Sequence, residues 1–210
     1  MIIQRLQHLL TYIYDLGDIP DATDFLISTP PSRTPSSITV GHRETSREAV
    51  YLHQEGDVLE MGLYVHPDIL RRLEHEPADT HVDDLGCVAE GVSHFLYLSD
   101  RHLHGRDCSA LELELQAEVD KFLLRAFVAV ESRGVVPSDL FHRQFESVTY
   151  ASDLSDSERD RYETANHFAA KYCHHLAERY VYPFRRQELI HEVRPFFRQG
   201  LREKVERLIP

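Results

Sequence analysis

Residues 82 to 132 constrain this chain more than any other stretch, because they contain a helical hairpin that the remaining elements have to pack around. Ser109-Ala-Leu-Glu112 reads as a capping box, in which the serine oxygen accepts from the third helical N–H and the glutamate reaches back to the cap. Leu111, Leu115, Val119, Phe122, Ala126 and Val130 follow at three- and four-residue steps, which stack on one helix face. Glu114, Glu118, Lys121 and Arg125 form a neighbouring charged strip. From Phe122 onward little polar face is left, so the second half of this arm is expected to be buried nearly all round. The first arm carries Leu85, Val88, Ala89, Val92, Phe95 and Leu96 on one stripe and ends near Gly105, a residue type suited to the position just past a helix. A short connection between the arms makes them antiparallel neighbours.

Around the hairpin the chain alternates between helical and extended patterns. Ile2, Ile3, Leu6, Leu9, Leu10, Ile13 and Tyr14 predict an amphipathic helix over about residues 2–16, stopped by Gly17 and Pro20. Residues 28–47, rich in Ser, Thr and Pro at their start, are expected to be a flexible loop. Ala49–His53 and Val58–Val65 flank a Gly-containing turn and form a β-hairpin. In its second strand Leu59, Met61, Leu63 and Val65 alternate with Glu60, Gly62 and Tyr64, which predicts one buried face and one that is open or only partly covered. A two-stranded ribbon is marginal alone, so a third strand (24–28 or 37–40) or a helix has to support it. Short helices follow near 66–73 and 137–145. A second capping box, Ser155-Asp-Ser-Glu158, starts a long helix to about Val181, and a basic helical segment from 184 to 208 is expected to kink or restart at Pro195. The fold class is therefore α+β and mainly helical, a small antiparallel sheet packed on a bundle of four or five helices in one domain.

Composition excludes several functional classes. The 210 residues suffice for a real core. No apolar run reaches the roughly 18 residues of a membrane span, and the N-terminal stretch does not read as a secretory signal. Cys87, Cys108 and Cys173 share no metal or redox spacing and fit reduced thiols in a cytoplasmic protein. A net charge of −12 disfavours nucleic acid as a partner. From Pro183 on, seven Lys/Arg face four Asp/Glu, a local +3 that leaves −15 elsewhere. That tail is expected to dock on the acidic body of its own chain or of a partner copy. The chain has 14 histidines, so its charge changes steeply through their titration range.

Three polar clusters bear on chemistry. Glu163, His167, His174 and Glu178 share a strip of the long helix, and Glu90 with His94 repeats the four-residue spacing on the first hairpin arm. Imidazole and carboxylate four apart on a helix can share a metal or a proton. Each strip lies opposite an apolar stripe, so both are expected to face water, and Lys171 within the first would repel a cation. Glu188-Leu-Ile-His191 matches the Glu-x-x-His of di-iron bundles once, without the second copy that chemistry needs. His102, His104, Asp107 and Cys108 lie together at the hairpin connection, where the histidines suit a helix C-terminus. Zincin, Walker, dinucleotide and nucleophile-elbow motifs are missing from the sequence.

The residues alone thus favour a non-catalytic cytosolic accessory protein that contacts protein partners, or itself, through its helical surface and basic C-terminal helix, with no cofactor. The alternative is a metal-binding helical protein, with a metal-dependent enzyme as one form of it, that holds a divalent metal ion through Glu90, His94, Glu163, His167 and His174. Whether the two strips converge in space decides between them.

Overall fold

The computed structural model describes residues 1–30, 37–41, 47–55, 58–76, 78–150, 152 and 154–209. The hairpin is its axis: α3 (Val82–Leu103) and α4 (Ala110–Arg133) run antiparallel, joined through Gly105 at φ 59°. Arm α4 stops at Gly134, whose φ of 73° is the left-handed cap only glycine adopts cheaply. On one side lies α1 (Ile2–Tyr14), which buries Ile2, Ile3, Leu6, Leu10, Ile13 and Tyr14. On another lies α5 (Asp156–Leu176), opened by the complete capping box of Ser155 and Glu158. A single contiguous cluster of buried side chains draws on all of these.

The sheet has the order β1–β2–β3, all antiparallel, with β1 at Ser37–Gly41, β2 at Glu48–Glu55 and β3 at Val58–Val65. Val40 pairs with Val50, and Val50 with Leu63. Strand β1 is the third strand the hairpin required, and it falls inside the stretch expected to be a loop; residues 31–36 and 42–46 of that stretch lie outside the described ones. The other candidate contributes as well: Ile27 N donates to Leu63 O at 2.9 Å, and its side chain lies over Gly62, where an added Cβ would come within 3.3 Å of Ile27 Cδ1. Leu63, Tyr64 and Val65 are all buried, while Glu60 is exposed, so the second face of β3 is partly covered, one of the two outcomes the alternation allowed. Helix α2 (Pro67–His75) then leads back to α3.

The basic tail forms α6 (Arg186–Arg198) and α7 (Leu201–Leu208). Pro195 sits inside α6, and the break comes at Gln199–Gly200 rather than at the proline as expected. The cause lies in the hairpin. Arg101 donates to Gln199 O, and Leu201 N donates to Glu112 Oε2 at 3.1 Å. Buried hairpin groups thus take the backbone groups that a continuous helix would pair. Glu112 also accepts from Arg101 and from Tyr97 Oη, so the Ser109 capping box is only half made. Ser109 Oγ accepts from Glu112 N at 3.2 Å, while the glutamate turns inward.

The tail docks on its own chain. Arg194 donates to Ile13 O (2.9 Å) and Tyr12 O (3.1 Å), and Arg198 to Tyr14 O (3.1 Å), which places two cations on the carbonyl end of α1. Tyr172 stacks on Phe196 at 3.8 Å and Tyr14 on Phe197 at 4.2 Å. Lys204 is fully buried, its ammonium donating to Tyr97 Oη (2.8 Å) and Gln116 Oε1 (2.7 Å). The amide of Gln116 continues to Asp120 at 2.9 Å, and Asp120 also accepts from Ser93 at 2.6 Å.

Burial pushes Lys204 down to about 7, against about 10.4 in an unfolded chain. Between these values the unfolded chain holds the proton that the folded chain has shed, so this group makes stability rise with pH. Denaturant unfolding of wild type and Lys204→Met at pH 7, 8 and 9 is expected to show the wild type gaining on the variant by up to about 1.4 kcal/mol per pH unit. A pH-independent difference would show that Lys204 titrates normally in the fold.

Candidate functional site

The seam between α3 and α4 is polar along one side. Asp83, Gly86, Glu90 and His94 succeed one another at three- and four-residue steps on α3, and Glu114, Glu118, Lys121 and Arg125 do so on α4. Because the arms are antiparallel, His94 meets Glu114 (Nε2–Oε2 3.7 Å), Glu90 meets Lys121 (2.8 Å), and Arg125 meets the backbone at Val82 and Gly86. Lys121 also donates to Glu118 at 2.6 Å. The strip expected to face water is therefore turned inward: His94 is 0% exposed, Glu114 3%, and the Glu90 side chain 19%. The face of α3 opposite its apolar stripe is covered by β2 and β3 rather than by solvent.

Gly91 makes that cover possible. A Cβ there would come within 3.1 Å of Leu63 Cδ1 and 3.2 Å of Glu48 Oε2, so only a glycine lets the sheet and the Glu48 carboxylate lie directly on the helix. Arg161 reaches in from α5, its Nε 3.8 Å from Glu114 Oε1. Glu90, His94 and Glu114 each offer one ligand atom within 4.8 Å of the others, a grouping found in one place among the described residues. Ligands about 2.1 Å from one tetrahedral ion lie about 3.4 Å from each other, so closing the set needs side-chain shifts of up to about 1 Å.

The unpaired atoms converge on the same place. Both ring nitrogens of His94, Glu48 Oε2 and Glu114 Oε1 are buried with no hydrogen-bond partner. Burial alone would lower the His94 pKa, but Glu114, Glu48 and Glu90 outweigh it and raise it to about 9. Burial pushes the Glu48 carboxyl well above the usual carboxylate range, and Glu90 pushes it further. His94 thus sets two unmatched ring nitrogens beside unmatched oxygens of Glu48 and Glu114, while Glu90 is already paired with Lys121 and Arg161 approaches Glu114.

The other sequence-predicted ligands do not join. Glu163, His167 and His174 are exposed: Glu163 lies beside Arg159 at 3.9 Å, and the His174 ring packs edge-on to Phe141. On α5 it is Arg161 and Tyr162, on the adjacent turn face, that approach the seam. His102 and His104 stay exposed at the end of α3, with His104 Nδ1 donating to Asp100 O at 2.8 Å. Burial pushes the Cys108 thiol up to about 12, which makes it a poor nucleophile. Sequence reasoning missed Glu114 and Glu48. Glu114 had a usable signal, a charged strip on a helix otherwise expected to be buried all round. Glu48, bordering the supposed loop, had none.

The site is not sealed. Glu48, Glu90, Glu118 and Lys121 line an open groove that continues past Gly86 to Arg47, Arg125 and Arg143. No family model, curated protein or solved structure matches the chain.

A group whose folded pKa is raised stabilises fully below its unfolded value and loses that contribution as pH climbs through the folded one. Metal-free wild type is therefore expected to exceed His94→Gln in unfolding free energy most at about pH 6.5. The margin should shrink toward pH 9, opposite in sign to the Lys204 effect, and chemical denaturation with chelator present measures it.

Proposed function

We propose that the protein binds one divalent transition-metal ion through His94, Glu90 and Glu114, with Glu48 completing the set. The observation that carries this reading is the His94 ring, wholly buried with neither nitrogen hydrogen-bonded, beside buried carboxylate oxygens that are equally unpaired. Leaving such groups unmatched costs several kcal/mol, and a shared cation resolves all of them together. One imidazole with two or three carboxylates suits Mn²⁺, Fe²⁺ or Zn²⁺ rather than a thiolate-selective metal. The ion would act as a Lewis acid at the inner end of the groove, where Lys121 adds a second positive charge and Glu48 a carboxyl that can carry a proton. On this basis the protein is a metal-dependent enzyme acting on a small polar molecule.

The reading as a non-catalytic interaction protein draws on the basic tail. Arg194, Arg198 and Lys204 are engaged with the protein's own hairpin and first helix, which leaves that reading fewer groups to work with. A reducing, cytosolic setting accords with three unpaired cysteines, two of them buried.

Elemental analysis after loading with Mn²⁺, Fe²⁺ or Zn²⁺ is expected to give one ion per chain. His94→Gln and Glu114→Gln should each abolish stoichiometric loading, whereas His167→Gln should not. Chelation is expected to lower the melting temperature by roughly 5–10 °C when metal stands at about a hundredfold over its dissociation constant. Sub-stoichiometric metal in wild type with all three ions, and melting indifferent to chelator, would leave the cluster as a charge network only.

A further inference from the structure

We propose that the cleft between Arg47, Arg72, Arg125 and Arg143 is a subsite for a phosphate monoester, which gives the metal-dependent reading above its substrate class. The four arginines line one recess together with His81, Asp83 and Asp84. Asp84 is already taken, accepting from both Arg47 and Arg72. Arg143 pairs with Asp139 at 3.2 Å, its side chain still 45% exposed.

Arg125 is the unusual member. Its guanidinium donates only to neutral acceptors, Val82 O at 3.1 Å and Gln144 Oε1, and its Nε is buried with no partner. The nearby carboxylate of Glu118 is held off by the same amide, since Gln144 Nε2 donates to Glu118 at 2.7 Å. Gly86 provides the berth: any Cβ at that position would collide with the Arg125 Nη2. The fold therefore holds a cation against bare backbone and a neutral amide, without a direct carboxylate hydrogen bond, in a cleft beside a second arginine. Burial is the largest cost to that charge, Glu118, Asp83 and Glu90 offset it only in part and Arg143 adds to it, so an incoming anion is favoured there.

Planar guanidinium forks in this number match a tetrahedral oxyanion with several acceptors better than a single carboxylate. Ser147 and Thr149 line the adjoining groove with further hydroxyls. That groove runs on to Lys121, Glu90 and Glu48, so the organic end of a phosphate ester bound here extends toward the proposed metal. The recess also lines up with the N-terminal turn of α3 at Val82 and Asp83, but the proposal rests on the arginines and not on that turn.

The test is calorimetric titration of the full chain with inorganic phosphate, phenyl phosphate and, as control, acetate at matched ionic strength, each with and without chelator. Both phosphates are expected to bind and acetate is not. Phenyl phosphate should bind no more weakly than inorganic phosphate; binding of the inorganic ion alone would overturn the ester assignment. Arg125→Gln is expected to weaken phosphate at least tenfold. Gly86→Ala displaces the same guanidinium while improving helix propensity, so it should leave melting unchanged or higher and still weaken phosphate, which keeps the test decisive if Arg125→Gln fails to fold. Undiminished binding in folded Gly86→Ala, or phosphate binding no better than acetate, overturns the proposal. Because His94→Gln and chelator remove metal without touching Arg125, phosphate binding that survives them separates failure of the metal reading from failure of this one.

Discussion

Charge buried between two antiparallel helices is the condition that the rest of this structure answers to. A hairpin with one polar seam is ordinary when that seam faces water. Here a sheet strand covers one side of it and α5 the other, and each polar group has to be matched at short range in a medium that screens poorly. Lys121 matches Glu90 and Glu118, and Gln144 bridges Glu118 to Arg125. The matching fails in two places. At the inner end His94, Glu114 and Glu48 are left with unpaired atoms, and at the outer end Arg125 has only neutral partners. Unmatched imidazole and carboxylate atoms thus stand at one end of the seam, and a guanidinium without an anionic hydrogen-bond partner at the other.

Glycines set the spacing of this arrangement. Gly86 and Gly91 lie on the same helix five residues apart, and each removes a side chain where something must approach the backbone. At Gly91 it is the sheet with Glu48, and at Gly86 the Arg125 guanidinium. Each costs roughly 0.5–1 kcal/mol of helix propensity relative to alanine. Arm α3 is therefore held helical by packing on both flanks, with local preference working against it at the two positions the site uses.

The hairpin, its caps at Ser109 and Gly105, the first helix and the β-hairpin were legible in the sequence because periodicity and turn chemistry are local. The site was half legible. The four-residue spacing of Glu90 and His94 marked them as a pair, but the direction they face depends on what lies over α3, which no local pattern encodes. Lying opposite an apolar stripe means solvent only where nothing packs on the second face. The strip 114–118–121–125 was read as charged and placed beside the core, and its antiparallel match to α3 followed from the hairpin itself. Glu163, His167 and His174 misled for the converse reason, since the same spacing is common on exposed helix faces. Glu112 shows how a local signal yields to a distant one: its capping role was given up for Arg101 and Leu201 N.

The clasp of Arg194 and Arg198 on the end of α1 joins positions 181 and 184 residues apart in the chain, and Lys204 closes over the hairpin across 107 and 88 residues. Contacts of such long sequence separation form late, because the entropy of closing so large a loop is met before the contact returns anything. During synthesis the first helix thus emerges long before its counterpart, its apolar face unsheltered by α6. Completion of the fold waits on the most basic segment: a chain cut short of it keeps the end of α1 uncapped, Gln116 without its lysine, and three more units of net negative charge.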